Sequence, residues 1–388
     1  MRITWYGGAV ALVMATLTAC GNGLGDCAEP IGAYVADAWP EGAGGTVMVA
    51  RGGEVAYCQG FGMADVAGGV RASCDTVYDI MSITKQFTAA AVMKLEMMGR
   101  LRVTDPIGRY LGAVPADKRP ITLHQLLTHT SGLVEALGDD YDPLSRADML
   151  AGALASELRS PPGAAFHYSN VGYSLLAAII EKVSGLGYER FLATYLFEPA
   201  GMTRTGYVLP DWPESQVAVE YDGRGASRGR PYDHPWAPDG PYWNLRGNGG
   251  MLSTARDLLR WHRALSGDTV LSAAARRELF TPYVRMPDSD DSYGYGWVIS
   301  DDGRIVSHDG GDTWSLADYA RSPDGGVMVF WISNHAYQQG RWNMEDLDLT
   351  RALTCRARSA TPGTASIPSA PSIPSAPSTP ATGASTEQ

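Results

Sequence analysis

The segment MSITK, residues 81–85, stands directly before an apolar pattern of helical spacing at 87–98. Ser82 and Lys85, three residues apart on the first turn of such a helix, face the same side within hydrogen-bond reach. A serine hydroxyl needs a base to become a nucleophile, and a lysine can serve if burial lowers its pKa from about 10.4. Arginine, which supplies most of the 31 basic residues here, cannot. The segment indicates a nucleophile–base pair, although a capping serine beside an exposed lysine shares this spacing.

Two further segments place polar side chains beside predicted elements. Tyr168 and Asn170 precede a helical pattern at 172–184. A tyrosine can carry a proton, and an asparagine can orient a lysine and a substrate carbonyl. The segment SHDGG at 307–311 ends a predicted strand, where glycines let a substrate approach the strand edge. Taken singly, each segment is also typical of a helix cap or a polar turn.

Predicted strands lie towards both ends of the chain, and most predicted helices lie between them. The strand patterns are at 46–51, 54–59, 296–300, 304–308, 316–321 and 327–334. The helical patterns are at 87–98, 172–184, 255–265 and 342–356. This order predicts an α+β fold, an antiparallel sheet flanked by terminal helices with an inserted helical lobe. We expect the sheet lobe at about 31–103 and 270–356, and the helical lobe at about 104–269.

Several longer sequence motifs, here called phrases, occur together with these segments. They are LLTHTSGL at 126–133, YSNVGY at 168–173, EPAGM at 198–202, GGMLSTARDL at 249–258 and YGYGW at 293–297. In this order they resemble the serine β-lactamase and penicillin-binding protein family, most closely its class C β-lactamase-like branch of esterases and D-Ala-D-Ala carboxypeptidases. The resemblance runs from about residue 40 to 335 and implies a β-lactamase/transpeptidase-like fold. Ala200 stands where leucine is usual.

The resemblance implies a role for each candidate residue. Ser82 is the acylated nucleophile, and Lys85 and Tyr168 share the acid and base steps. Asn170 holds a substrate amide and the lysine. The third motif of the family falls on His308 and Gly310, and the backbone N–H groups of Ser82 and Gly311 form the oxyanion hole.

The third motif departs from that of class C β-lactamases, which typically have Lys-Thr-Gly. Here it is His308, Asp309 and Gly310. A histidine near its ordinary pKa of about 6.5 is mostly neutral at pH 7, so it lacks the charge that helps bind a β-lactam carboxylate. We therefore expect an esterase or a D-amino-acid peptidase or carboxypeptidase with at most weak β-lactam hydrolysis. The alternative is a penicillin-binding or sensor-type lipoprotein of the cell envelope that is acylated without turnover.

The N-terminal segment has the pattern of an export signal. One basic residue precedes an uncharged apolar run that ends in LTAC, with Cys20 at the position of a lipidated cysteine. We expect a signal peptide at 1–19, a lipidated Cys20 and tether at 20–30, the hydrolase domain at 31–356 and a disordered tail at 357–388. The tail is rich in Pro, Ser, Thr and Ala and almost uncharged. These features predict a membrane-anchored lipoprotein of the bacterial cell envelope, on the periplasmic or outer-surface side.

Four further cysteines suggest two disulfides, for which three pairings exist. Cys27 and Cys355 bracket the folded region, which favours Cys27–Cys355 and Cys58–Cys74 over the other pairings, with buried free thiols as the alternative. The histidines and cysteines lack the close spacing of a metal site, so neither metal nor cofactor is expected.

Two other function classes are disfavoured. The net charge of −11 argues against binding nucleic acid through phosphate contacts. The segment GASRG at 225–229 matches the G-x-S-x-G motif of α/β-hydrolases, but its flanking residues have the pattern of loops rather than the strand and helix that this motif requires.

Overall fold

An eight-stranded antiparallel sheet forms the centre of the fold. The computed structural model describes residues 27–359. The strands, in chain order, are β1 Gly45–Arg51, β2 Glu54–Phe61, β3 Val284–Arg285, β4 Ser292–Tyr293, β5 Val298–Ile299, β6 Val306–Gly311, β7 Leu316–Arg321 and β8 Val327–Ser333. They lie side by side in the order β3-β4-β5-β6-β7-β8-β1-β2. Both ends of the chain therefore contribute to one sheet, which confirms the predicted α+β class.

The helices cover the two faces of this sheet. They are α1 Ile31–Ala38, α2 Lys85–Met97, α3 Gly108–Leu111, α4 Leu123–Leu127, α5 Arg146–Ala155, α6 Asn170–Ser184, α7 Tyr188–Leu192, α8 Glu198–Ala200, α9 Ala255–Ser266, α10 Ala273–Leu279 and α11 Leu349–Ser359. The terminal helices α1 and α11 pack on one face, and the helices from the middle of the chain lie on the other.

Strand β8 shows why both faces are covered. All seven of its residues are buried. Because successive side chains alternate between faces, Met328 and Phe330 enter the core with α2 and α6, while Val329 and Trp331 enter the core with α1 and α11. A continuous apolar strand of this kind is expected where a sheet is buried on both sides.

The short elements complete the connections. Five two-stranded pairs join Met63–Asp65 to Val70–Arg71, Tyr78–Asp79 to Leu252–Ser253, Glu220–Tyr221 to Ser227–Gly229, Trp236–Ala237 to Gly240–Pro241, and Tyr337–Gln338 to Trp342–Asn343. Single turns of 3₁₀-helix lie at Met81–Thr84, Glu214–Gln216, Pro231–Asp233 and Met344–Asp346, and a π-turn lies at Ala193–Phe197.

The last predicted helix is shorter at its start and longer at its end than expected. The pattern at 342–356 predicts a helix, but Trp342–Asn343 is a strand that pairs with Tyr337–Gln338 across Gly340, which has φ +72°. The helix begins only at Leu349 and continues through Ser359, past the expected start of the tail at 357. Of the apolar residues before Leu349, Trp342 packs from this hairpin and Met344 from the 3₁₀ turn that follows it.

The structure contains the two favoured disulfides, Cys27–Cys355 and Cys58–Cys74. Disulfides of this kind are typical of proteins outside the cytoplasm. The predicted signal peptide, Cys20 and the tail beyond Ser359 lie outside the described residues. Within 27–359, no helix combines the length and the apolar character needed to span a bilayer.

Candidate active site

Ser82 lies between the short strand Tyr78–Asp79 and helix α2. Residues Met81–Thr84 form one 3₁₀ turn, and α2 begins at Lys85. Met81 has the left-handed φ of +48°, which is rare for a residue with a side chain, and its N–H donates to Asp79 Oδ1 at 2.6 Å. This sharp turn brings Ser82 to the wall of a cleft.

Lys85 is fully buried and points back at the serine. Its Nζ donates to Ser82 Oγ at 2.9 Å and to the backbone carbonyl of Asn248 at 2.8 Å. Burial lowers the pKa of Lys85 to about 7, against the opposing effects of the Asp140, Asp309 and Glu135 carboxylates. A large fraction of Lys85 is therefore neutral near pH 7 and able to accept the Ser82 proton.

Tyr168 approaches the same pair from the start of α6. Ser169 caps this helix by accepting the Gly172 N–H, which fixes the chain direction on either side of Tyr168. The Lys85 Nζ lies 4.8 Å from the centre of the Tyr168 ring. Burial raises the pKa of Tyr168 well above its usual range, and the nearby Ser82 hydroxyl opposes that rise. Tyr168 is therefore protonated at neutral pH, and within residues 27–359 its hydroxyl makes no hydrogen bond of normal geometry.

His308 is a neutral member of this site. Its Nδ1–H donates to the carbonyl of Asp309 at 2.6 Å, so Nε2 accepts from the Tyr293 hydroxyl at 2.9 Å. Burial, followed by the charge of Lys85, lowers the pKa of His308 to about 3. The third motif therefore presents no positive charge at neutral pH, as its sequence suggested.

Gly310 allows β6 to pack against the 3₁₀ turn that contains Ser82. A Cβ at this position would stand 2.7 Å from the carbonyl oxygen of Ile80 and 3.1 Å from the amide nitrogen of Ser82. Gly311, the next residue, lines the cleft together with Ser82. Only glycine permits this approach, which brings the two predicted oxyanion-hole residues to the same wall of the cleft.

Asn170 also lines the cleft, but within residues 27–359 its Oδ1 accepts no hydrogen bond from Lys85. Its Oδ1 is buried and has no hydrogen-bond partner within residues 27–359, whereas the Asn248 carbonyl accepts from Lys85. The role of Asn248 was not predicted from the sequence, because it depends on a backbone carbonyl, which every type of residue has. Its only sequence cue is its place directly before the GGMLSTARDL phrase.

Sequence analysis also missed His129, which supports Tyr168. The two rings lie 4.3 Å apart, and His129 Nδ1 accepts from the backbone N–H of Ser169 at 3.0 Å. Burial, with the nearby Lys85 and His308, lowers the pKa of His129 well below its usual range. His129 is therefore a neutral ring that helps to position Tyr168, and its presence in the LLTHTSGL phrase was the available signal.

The cleft belongs to a cavity of about 900 Å³. Ser82, Tyr168 and Asn170 line it together with Tyr141 and Trp314, and its lining extends to residues of α11. The Trp314 and Tyr141 rings are nearly parallel, with centres 6.0 Å apart. The cleft therefore combines a polar reactive corner with an aromatic wall.

Other candidate chemistry lies elsewhere. Ser227, the serine of GASRG, lies in an exposed hairpin strand and is followed by a 3₁₀ turn, not by the helix of a nucleophile elbow. Among the residues that the structure describes, no group of three His, Cys, Asp or Glu side chains is placed to hold a metal ion.

Comparisons with known proteins agree with the geometry. The beta-lactamase family model matches residues 35–352. Penicillin-binding protein 4* of Bacillus subtilis is 31% identical over 329 residues, which cover 75% of this chain and 68% of that protein. For the next two curated relatives the match spans 63% and 54% of their length.

Solved structures show the same fold. The penicillin-binding protein of Bacillus halodurans is 26% identical, with a TM-score of 0.68 over 84% of this chain and 98% of that one. A beta-lactamase/D-alanine carboxypeptidase of Yersinia pestis is 23% identical, with a TM-score of 0.70 over 84% of this chain and 98% of that one, which supports the fold alone. With the family model covering most of the chain, the protein belongs to the beta-lactamase family of serine hydrolases.

Proposed function

We propose that the protein hydrolyses an ester or amide through an acyl-enzyme on Ser82. The observation that carries this proposal is the buried Lys85, whose Nζ lies 2.9 Å from Ser82 Oγ and whose pKa is lowered to about 7. A neutral amine at that distance can take the hydroxyl proton as the oxygen attacks.

The reaction proceeds in two balanced steps. Ser82 Oγ forms a bond to the substrate carbonyl carbon while its proton passes to Lys85, and the N–H groups of Ser82 and Gly311 stabilise the oxyanion. The tetrahedral intermediate collapses, and the leaving alcohol or amine takes a proton from Tyr168, which regains one from protonated Lys85. Water then attacks the acyl carbon, the bond from that carbon to Ser82 Oγ breaks, and a proton of the water passes through Lys85 and Tyr168 to Oγ, which releases the carboxylic acid and free Ser82.

The substrate that fits best is a carboxylic ester or a D-amino-acid peptide, with β-lactams turned over weakly. Neutral His308 supplies no permanent charge for a β-lactam carboxylate. The alternative, acylation without turnover, is favoured by the relative named penicillin-binding protein 4*. The two differ in the lifetime of the acyl-enzyme, which intact mass after treatment with benzylpenicillin or a D-Ala-D-Ala peptide measures directly.

The first experiment is labelling of the full chain with a fluorophosphonate probe, read by intact mass. We expect one adduct on the wild-type protein, one on Ser227→Ala and none on Ser82→Ala. Ser227 is the matched control, because it is the exposed serine of the competing motif. An adduct on Ser82→Ala would show that another serine is the nucleophile, and an unlabelled, folded wild-type protein would contradict an activated serine.

We also infer an exported protein anchored by lipid on Cys20. The two disulfides and the match to a penicillin-binding protein support a place outside the cytoplasm. Cys20→Ser should move the protein from the membrane fraction to the soluble fraction while hydrolysis continues. Retention of Cys20→Ser in the membrane fraction would contradict the anchor.

A further inference from the structure

Several acidic side chains line the cleft that contains Ser82. Glu135, Asp139 and Asp140 lie within six residues on the loop between α4 and α5, and all three line the cleft. Every charge that shifts the pKa of Lys85 is a carboxylate, with Asp140 the largest. The reactive corner is therefore strongly negative apart from the lysine itself.

Asp140 has no partner of opposite charge in direct contact. Within residues 27–359 its carboxylate makes no hydrogen bond and no ion pair. Burial and the neighbouring carboxylates of Asp139 and Glu135 raise its pKa, and only Lys85 opposes them. A carboxylate in this setting is stabilised by any cation that enters the cleft.

The cleft is poorly suited to bind a negatively charged substrate. His308, at the third motif, is neutral. Arg159 and Arg351 also line the cavity, but neither shifts the pKa of Lys85 or of Asp140. A substrate carboxylate beside Asp140 would meet like charge, and within residues 27–359 Asp140 has no cation in direct contact.

Two independent features favour a ligand that carries N–H groups and positive charge. The rings of Tyr141 and Trp314 line the cleft, and Tyr141 directly follows Asp140 in the chain. Aromatic rings attract cations as well as apolar groups. The buried Asn170 Oδ1 lines the same cleft and is an acceptor without a donor in the described chain.

Resting on the proposed function, we infer that the substrate carries a protonated amine, which pairs with Asp140 while Tyr141 and Trp314 contact its carbon skeleton. Esters and amides of amino acids or amino alcohols have this chemistry. Asp140 is then a specificity-determining residue: it selects cationic substrates over neutral ones of the same shape and disfavours anionic ones.

The test compares kcat/KM for pairs of esters that differ only in charge. One pair has a primary amine or a methyl group on the acyl side, and the other has the same two groups on the alcohol side. In the wild-type protein we expect a preference of roughly tenfold or more for the amine in at least one pair, the order expected of a charge-assisted contact. Asp140→Asn should remove that preference, and Asp139→Asn, with the same change of charge one residue away, should retain most of it.

Three outcomes overturn the inference. These are equal kcat/KM values for amine and methyl esters in both pairs, an equal loss on both members in Asp140→Asn, and an equal loss of preference in Asp139→Asn. If the wild-type protein hydrolyses the methyl esters through Ser82 without charge preference, the inference fails while the proposed function stands. If it hydrolyses none of the esters and a fluorophosphonate leaves Ser82 unlabelled, both fail.

Discussion

The Nζ of Lys85 lies 2.9 Å from Ser82 Oγ, and its second hydrogen bond goes to the carbonyl of Asn248, 163 residues further along the chain. Both contacts are made by a side chain that is entirely buried. The helix places the lysine beside the serine, and the distant carbonyl keeps it there. Burial then lowers its pKa to about 7, where it can exchange protons.

Lys85→Arg should reduce kcat/KM for ester hydrolysis by about 10³-fold, because arginine retains the charge but cannot accept the Ser82 proton. Lys182→Arg is the matched control, since Lys182 is exposed on α6 and we expect its replacement to leave activity unchanged. Steady-state kinetics on a neutral ester measure both. Activity within a few-fold of wild type in Lys85→Arg would exclude Lys85 as the base.

The pH profile should report the titration of Lys85. Because the base must be neutral, kcat/KM should rise with pH through an apparent pKa of about 7. The Asp140 carboxylate raises that pKa by stabilising the charged lysine, so Asp140→Asn should move the rise to lower pH. A profile measured with a neutral ester tests this. A rise at unchanged pH in Asp140→Asn would show that Asp140 does not act on the base.

Gly310→Ala should damage the active site, because the new methyl group would stand 2.7 Å from the carbonyl oxygen of Ile80 and 3.1 Å from the Ser82 amide nitrogen. We expect kcat/KM to fall more than about tenfold and the free energy of unfolding to fall by roughly 1–3 kcal/mol, as for other overpacked sites. Gly187→Ala is the control, since no atom lies within 4 Å of its added Cβ. Unfolding by urea and ester kinetics measure the two effects, and a Gly310→Ala protein of normal activity would contradict the close approach.

The two disulfides should differ in their contribution to stability. Cys27–Cys355 closes a separation of 328 residues, and Cys58–Cys74 closes one of 16. In the chain-entropy account the longer loop is worth about 6 kcal/mol and the shorter about 3 kcal/mol. Replacing Cys27 and Cys355 together by alanine should therefore lower the urea midpoint more than replacing Cys58 and Cys74. The reverse order would mean that strain or structure in the unfolded chain dominates.

Sequence patterns predicted the parts of the site that depend on near neighbours. Ser82 and Lys85 are three residues apart at a helix start, and Tyr168 directly precedes the cap of α6, so local spacing places these side chains, while their roles came from the family resemblance. The Asn248 carbonyl accepts from the lysine, and the Asp140 carboxylate acts on its pKa through charge, only because distant segments of the chain pack together. A local sequence pattern does not predict which distant residues lie close together in the fold.

The prediction of a helix at 342–356 was wrong over its first residues for a related reason. The apolar residues Trp342 and Met344 fit a helical pattern, but they also fit a short strand and a turn. The pairing of Trp342–Asn343 with Tyr337–Gln338 is set by the turn at Gly340, and Trp342 Nε1–H donates to the carbonyl of His335. Tertiary contacts decided between two local structures that the sequence permits almost equally.

His129 should act on catalysis through the position of Tyr168. Its ring lies 4.3 Å from that of Tyr168, and its Nδ1 accepts the Ser169 N–H. Its φ of +57° makes His129→Asn the suitable variant, because asparagine tolerates that conformation and retains a hydrogen-bond acceptor but loses the ring. We expect kcat to fall about tenfold or more with KM nearly unchanged, since Tyr168 would lose its packing partner while the substrate-binding wall remains.

His124→Asn is the control for that variant, because His124 lies in the preceding helix and its Nδ1 pairs with the Tyr295 hydroxyl, away from Tyr168. Urea unfolding of both variants separates a loss of stability from a loss of positioning. If His129→Asn and His124→Asn lower kcat equally, or if His129→Asn changes only KM, the His129 ring does not position Tyr168 for proton transfer.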